Sequence, residues 1–417
     1  MAPSYTELAT RLVANAAVLD YHLNARKLAT PPDSPSPSIP ARNTELEDIR
    51  AALVQDTKAL RDQVLGPAQV LRELCWSAID LAVQGVIYRF GIYKAIPLEG
   101  AVSYALVAEK VGLSERQVKL MLRQSALNGI FYEPSPAHVA HTAASAVLVQ
   151  DKAMLDWYGH CTDELFQASA KLADALEKNG ENEKPEDSAF SLAFGTNEPI
   201  FNFYEKHPER QARFFGAMEG VGKDYGHSLS HVVNGYGWAG LGDALVVDVG
   251  GSSGFLSTAL AAQYPNLTFE VQDYEHTIQQ GAAQLPSGFA DRVKFTAHNF
   301  FDPQPSTGDV YLLRHICHNW SDTNSAKIIQ QILPAMKPTS RVLLVEVVVV
   351  PPRVVNVVQE RYMRNVDVTM LQMLNTQERS EEDWQRVVAA ADPRLQILGI
   401  YKPEGSWDSI IEIGFSS

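Results

Sequence analysis

The 417-residue sequence has only three cysteines, Cys75, Cys161 and Cys317, and they lie far apart. That excludes a disulfide framework and a cysteine-built metal centre, and it fits a reducing compartment. Long apolar runs are missing too. None approaches the roughly 18 residues of a membrane span; the longest candidate, residues 342–352, contains Glu346 and reads as a central strand. The amino-terminal stretch has no signal-peptide core, so a cytoplasmic location is expected. Basic residues are outnumbered, 35 Lys and Arg against 49 Asp and Glu, for a net charge of -14. Such a balance argues against binding nucleic acid through a general basic surface. What is present, 46% hydrophobic and 20% charged residues, suits a globular enzyme long enough for two or three domains.

The most informative stretch is Ala-Leu-Val-Val-Asp-Val-Gly-Gly-Ser-Ser-Gly at 244–254. Apolar residues reading as a buried strand stop at Asp248, a glycine-rich turn follows, and an apolar helix is expected over 255–263. Strand, tight turn and helix start form the nucleotide-cofactor corner of a doubly wound sheet. Gly250 and Gly254 let the backbone approach a ligand closely. A dinucleotide fingerprint would place its acidic residue about 20 positions after the glycines. Here an acid precedes them, and a second, Asp273, closes the next apolar segment. An acid ahead of the loop suits a ligand with a cationic end better than a pyrophosphate.

Upstream the chain reads as mainly helical. An apolar helical pattern covers residues 1–30, and five prolines in the eleven residues 30–40 mark a linker. Helical periodicity returns over 45–91, where the very apolar 77–86 predicts burial in a core or against a partner chain. Residues 102–139 read as helix, glycine turn, a second helix capped by Ser114, and a β-wing: a winged helix-turn-helix. Between Glu99 and Glu133 four basic residues balance four acids, so this module offers no footprint for DNA and is read as a packing and dimerisation platform. Expected boundaries are 1–70 for the arm and linker, 71–150 for the winged-helix module, 151–235 for a helical connection and 236–417 for the sheet domain. The seven expected strands lie at 244–249, 267–272, 293–297, 309–313, 341–349, 395–401 and 409–415.

Chemistry concentrates where the fourth of these strands ends, in Leu313-Arg-His-Ile-Cys-His-Asn-Trp-Ser-Asp322. His315 and His318 both reach the carboxyl edge of the sheet; either imidazole can take a proton from a phenol or enol, and either can be a satisfied, half-buried histidine. Glu346, alone among valines, needs a partner if buried. Glu378 precedes a helix that Ser380 can cap.

With these motifs the chain resembles the plant- and fungal-type small-molecule O-methyltransferases that use S-adenosyl-L-methionine. The resemblance rests on the Val-Asp-Val-Gly-Gly loop, Asp273, the Leu-Arg-x-x-x-His-x-Trp-x-Asp segment, the strand with Glu346 and the Glu378-Arg379-Ser380 turn. It covers residues from about 70 to 417. It implies an α/β fold: a Rossmann-like seven-stranded methyltransferase domain preceded by a mainly helical, winged-helix dimerisation domain, with a homodimer as the functional unit. It also implies His318 as catalytic base with Glu346 and Glu378 orienting it. Cofactor contacts would fall on Asp248, Gly250, Gly251, Gly254, Asp273, Asn299, Phe300, Arg314 and Trp320. Phe201, Met218, Asn319, Met370 and Met373 would meet an aromatic or polyketide-type acceptor; no metal, nucleic-acid or membrane partner is implied.

Three departures stand out. Ser252 replaces a loop glycine, Asn299 stands where the family has an Asp facing the adenine amine, and Asn319 replaces the Asp after the base. They leave room for a second expectation, a pericyclase or dehydratase of the same fold that keeps the cofactor without transferring its methyl group.

Overall fold

The computed structural model describes residues 3–25 and 44–416, so the proline-rich linker at 30–40 lies outside the described residues. They group into two compact units, one running to Lys171 and including Phe201–Val221 and Asn356–Val358, the other built from Leu172–Ile200, Gly222–Val355 and the chain from Gln359 onward.

In the first unit, helices Tyr5–Ala25 and Thr44–Leu65 pack on each other. Gly66, with φ 74°, breaks the second from helix Pro67–Arg89, whose proline sits at the first helical position where its missing N–H costs nothing. The winged module is present as read. Strand β1 (Val102–Ser103) leads into helix Tyr104–Val111, which Gly112 ends in the left-handed conformation. Ser114 and Gln117 form a reciprocal cap on helix Glu115–Ala126. Strands β2 (Phe131–Tyr132) and β3 (His138–His141) then pair antiparallel, with β1 on the other side of β3. Ile87, Val107, Val118, Leu122 and Phe131 fill its core. Helix Pro67–Arg89 buries Val83, Gln84 and Ile87, but its earlier turns leave Leu71, Leu74, Trp76 and Ile79 between 59% and 74% exposed.

The second unit is the doubly wound domain. Its strands are β4 (Leu245–Val249), β5 (Thr268–Asp273), β6 (Val293–Ala297), β7 (Val310–Arg314), β8 (Arg341–Glu346), β9 (Leu395–Tyr401) and β10 (Ser409–Phe415). The order is β6-β5-β4-β7-β8-β10-β9, with only β10 antiparallel to its two neighbours. Apart from Asp248 and the strand ends, the central strands are apolar on both faces because helices cover both. Val247, Val249, Leu313 and Leu344 pack towards helices Asp322–Ile332 and Glu381–Ala391, while Val246, Leu312, Leu343 and Val345 pack towards helix Phe255–Gln263. This is the alternation of side chains along a strand. From β4 the winding runs outward in both directions, to β5 and to β7, so a ligand crevice is expected at the carboxyl ends of β4 and β7. The strand expected over 341–349 stops at Glu346; beyond it Val348 makes only an isolated bridge to Arg379.

Candidate active site

The glycine loop opens from β4. Gly250 has φ 72°, and a Cβ there would meet the Ile316 side chain at 2.5 Å. Gly254, with φ 74°, starts helix Phe255–Gln263, and a Cβ there would press on Val271 and Phe295 at 3.1–3.2 Å. Amides of Gly250 and Gly251 donate to the Gln272 carbonyl at 2.7 and 3.1 Å, which folds the loop back over β5. Asp248 is tucked beneath this loop, 2% exposed, and accepts the Ser257 hydroxyl at 2.6 Å; burial pushes its pKa up to about 6. Its visible role is to tie the end of β4 to the helix start. Asp273 ends β5 and accepts the amides of Ser252 at 2.9 Å and Tyr274 at 2.7 Å, so it stands at the loop's mouth.

Ser252 adopts φ 53°, a left-handed conformation that a side chain makes costly. Ser252→Gly should therefore raise the unfolding free energy by about 0.5–1 kcal/mol, the relief being partly offset by glycine's own chain entropy. A denaturant midpoint unchanged or lowered by that substitution would show the turn to be unstrained.

The next loop carries Phe300, whose ring meets Trp320 edge-on at 5.9 Å. Asn299 is exposed, with its Oδ1 accepting the Phe301 amide at 3.1 Å. A glycine loop packed too tightly on its neighbours for a Cβ, a carboxylate at the mouth of β5 and an aromatic pair beside it fit an adenosine cofactor bearing a positive charge.

The histidine segment leaves β7 at Arg314. His315 has φ 53° and turns the chain sharply, and a short 3₁₀ turn, Cys317–Asn319, presents His318. The two carboxylates hold this turn differently. Glu378 Oε1 lies 2.8 Å from His318 Nδ1 and orients the ring. Glu346 Oε1 instead accepts the amides of Ile316 at 3.1 Å and Cys317 at 2.8 Å, propping the backbone under the histidine. The family resemblance implies that both acids orient the ring; among the described residues only Glu378 bonds to it. Burial disfavours the His318 cation, but the charges of Glu378 and Glu346 outweigh it and raise its pKa to about 9. For Glu346 burial dominates and raises the pKa to about 7.

Arg379, which the sequence named only as part of a turn, is a fully buried clamp. Its guanidinium donates to Asp322 Oδ1 at 2.7 Å and to the carbonyls of Cys317 at 2.9 Å and Trp320 at 2.6 Å, and it lies over the Trp384 ring at 5.0 Å. Asn319 Nδ2 donates to the His315 carbonyl at 3.0 Å. This gives the family departure a physical reason, because a carboxylate has no proton to donate there.

The remaining predicted positions divide between the units. Met370 and Met373 lie on helix Val357–Leu374; Met373 is core, 3% exposed, and Met370 is half-buried. Phe201 and Met218 belong to the first unit, Phe201 packing edge-on against Phe214 at 6.2 Å and Met218 lying 36% exposed. Arg314 donates to the His227 carbonyl at 2.8 Å. Sequence reasoning missed His227 and Asp408. Their side chains meet at 3.0 Å across 181 positions, and no local pattern announces such a pair.

A doubly wound sheet with this loop, and a carboxylate-held histidine at its switch point, define a class I methyltransferase architecture. Residues 170–392 match the O-methyltransferase domain family. The O-methyltransferase pyvH of Aspergillus violaceofuscus is 33% identical over 98% of this chain and 97% of its own length. The O-methyltransferase bik3 of Gibberella fujikuroi is also 33% identical, over 96% and 90%. Among solved structures, OxaC in complex with SAH and oxaline superposes with a TM-score of 0.81 at 20% identity over 99% of both chains. LepI in complex with SAH and a substrate analogue gives 0.76 at 20% identity over 98% and 100%. The chain belongs to the O-methyltransferase family, and its cofactor is S-adenosyl-L-methionine.

Proposed function

We propose that the protein methylates a hydroxyl of an aromatic or polyketide-type natural product, with His318 as the base. The observation that carries this is the 2.8 Å contact between His318 Nδ1 and Glu378. It commits Nδ1 to the carboxylate and leaves Nε2 to take the acceptor's proton. Asp273, the loop at 250–254, Phe300 and Trp320 are the residues proposed to hold the cofactor, with Arg314 and Asn299 at its edge. When bound, S-adenosylmethionine supplies an electrophilic methyl group on a sulfonium that is already a good leaving group. The protein's own contribution is then positioning: Glu378 fixes the ring and favours its developing charge, while Glu346 and Arg379 fix the turn that carries it. Met370 is proposed as an acceptor contact.

The exposed apolar turns around Leu71, Leu74, Trp76 and Ile79 support a homodimer formed through the first unit. Cytoplasmic residence agrees with the three free cysteines.

Incubation with S-adenosylmethionine and a panel of phenolic and enolic polyketides tests the reading. Methylated product and S-adenosylhomocysteine should appear together in equal amounts. Conversion of an acceptor to a cyclised or dehydrated product with no S-adenosylhomocysteine would replace this reading with the pericyclase or dehydratase one.

A further inference from the structure

Beside the His318–Glu378 pair stands a second imidazole–carboxylate pair for which single methyl transfer has no use. His315 Nε2 lies 3.0 Å from Asp408 Oδ2, and the His315 and His318 rings are 5.6 Å apart, tilted by 34°. On the far side of Asp408, His227 Nδ1 lies 3.0 Å from Oδ1, and His227 Nε2 lies 2.7 Å from the Tyr362 hydroxyl. His227 and Asp408 are closed off, with side chains 2% and 3% exposed, and both ring nitrogens of His227 have partners. His315 is the open member, with 24% of its side chain exposed. Its Nε2 is buried and faces Asp408 at ion-pair distance without an aligned hydrogen bond.

The backbone around His315 is built to present it. A residue with a side chain rarely adopts φ 53°, and here the strained turn is held by Asn319 donating to the His315 carbonyl. A neutral imidazole donates from one nitrogen and accepts at the other. Burial lowers the His315 pKa to about 4, against the pull of Asp408, so the ring is neutral. With its proton on Nε2, the nitrogen beside the Asp408 carboxylate, Nδ1 keeps a lone pair. That nitrogen calls for a hydroxyl donor, as does His318 Nε2 once deprotonated in the proposed reaction. Two such nitrogens on rings 5.6 Å apart, each reaching an oxygen about 2.8 Å away, match two hydroxyls of one aromatic unit.

We propose that His315, positioned by Asp408, binds a second hydroxyl of the acceptor, so that the protein selects resorcinol-type aromatic diols and methylates the oxygen facing His318. The choice of oxygen rests on the methyl-transfer reading; the recognition of a diol does not. A cation shared by His227, His315 and Asp408, whose ligand atoms lie within 4.8 Å of one another, is the rival use of the same side chains. The complete hydrogen bonding of His227 favours the first use.

Equilibrium binding to the S-adenosylhomocysteine-loaded protein tests the idea without requiring turnover. A naphthalenediol with resorcinol-type hydroxyls should bind about tenfold more tightly than naphthol, the yield of one well-placed hydrogen bond. His315→Phe should erase that ratio and Asp408→Asn should reduce it. Equal binding of the two compounds by the wild type, binding of neither, a ratio unaffected by His315→Phe, or a parallel loss for both compounds would overturn the proposal. So would one equivalent of a transition metal in the purified protein that disappears in His315→Phe. If the binding ratio behaves as expected but S-adenosylmethionine yields no methylated product, only the methyl-transfer reading fails.

Discussion

Replacing His318 with glutamine should lower kcat for methyl transfer by about 10²–10⁴-fold, the span covered by a positioned general base. Affinity for S-adenosylhomocysteine, assigned in the proposed reading to the glycine loop and Asp273, should change little. The wild type should show a matching pH dependence. Burial works against the His318 cation, but Glu378 and Glu346 overcome it and raise the pKa to about 9, so at neutral pH the ring carries its proton. The base form therefore grows as pH rises, and kcat/KM for the free enzyme should climb from pH 7 and level off above about 9. Glu378→Gln removes the nearest of those charges. Its inflection should move towards neutral pH while the plateau falls, because the ring loses its orienting partner. The same shift bears on folding: the stability that His318 contributes is complete below the ordinary pKa of 6.5 and is lost as pH rises through about 9. A plateau unmoved by Glu378→Gln, or near-wild-type turnover in His318→Gln, would remove His318 from the reaction.

Arg379→Ala should destabilise the second unit by about 3–5 kcal/mol, the cost of breaking a buried, hydrogen-bonded charge. The arginine is completely buried; without it Asp322 loses its ion pair, and the carbonyls of Cys317 and Trp320 each lose their guanidinium donor, while the Ser325 and Thr376 hydroxyls remain. A lysine in its place has one ammonium for three separated acceptors and should recover little. Because the clamped carbonyls belong to the turn that carries His318, activity should fall even below the unfolding temperature. Thermal unfolding followed alongside turnover separates the two effects. An alanine variant that melts with the wild type would mean the clamp is not what holds the turn.

Much of this site was legible because its signals are local. Alternating and fully apolar strands, Gly250 and Gly254 at left-handed turns, Asp273 at a strand end and Ser114 three residues before Gln117 each write their structure into a few consecutive residues. His318 and Glu346 stand at the ends of apolar segments, and Glu378 stands just before a helix that Ser380 caps. What the sequence hid were relations across distance. That Glu346 would hold backbone amides instead of the histidine depends on the left-handed turn at His315, which no composition rule predicts for a histidine. The burial of Arg379 follows from three acceptors contributed by another loop. The exposure of Leu71, Leu74, Trp76 and Ile79 is equally non-local, since an apolar helix does not say which of its turns the rest of the chain will cover.

The short bridge past the end of β8 has a thermodynamic meaning. Val348 pairs with Arg379, and the Val349 amide donates to the Arg379 carbonyl at 2.8 Å. Glu346 precedes one side of that bridge by two residues and Glu378 precedes the other by one, so main chain, not side-chain choice, fixes the two acids relative to each other. Their conformational entropy is surrendered once, during folding, and no part of that loss falls on the encounter with an acceptor. In the proposed reaction an incoming phenol would meet an imidazole already aimed, and its binding energy would go into ordering the phenol.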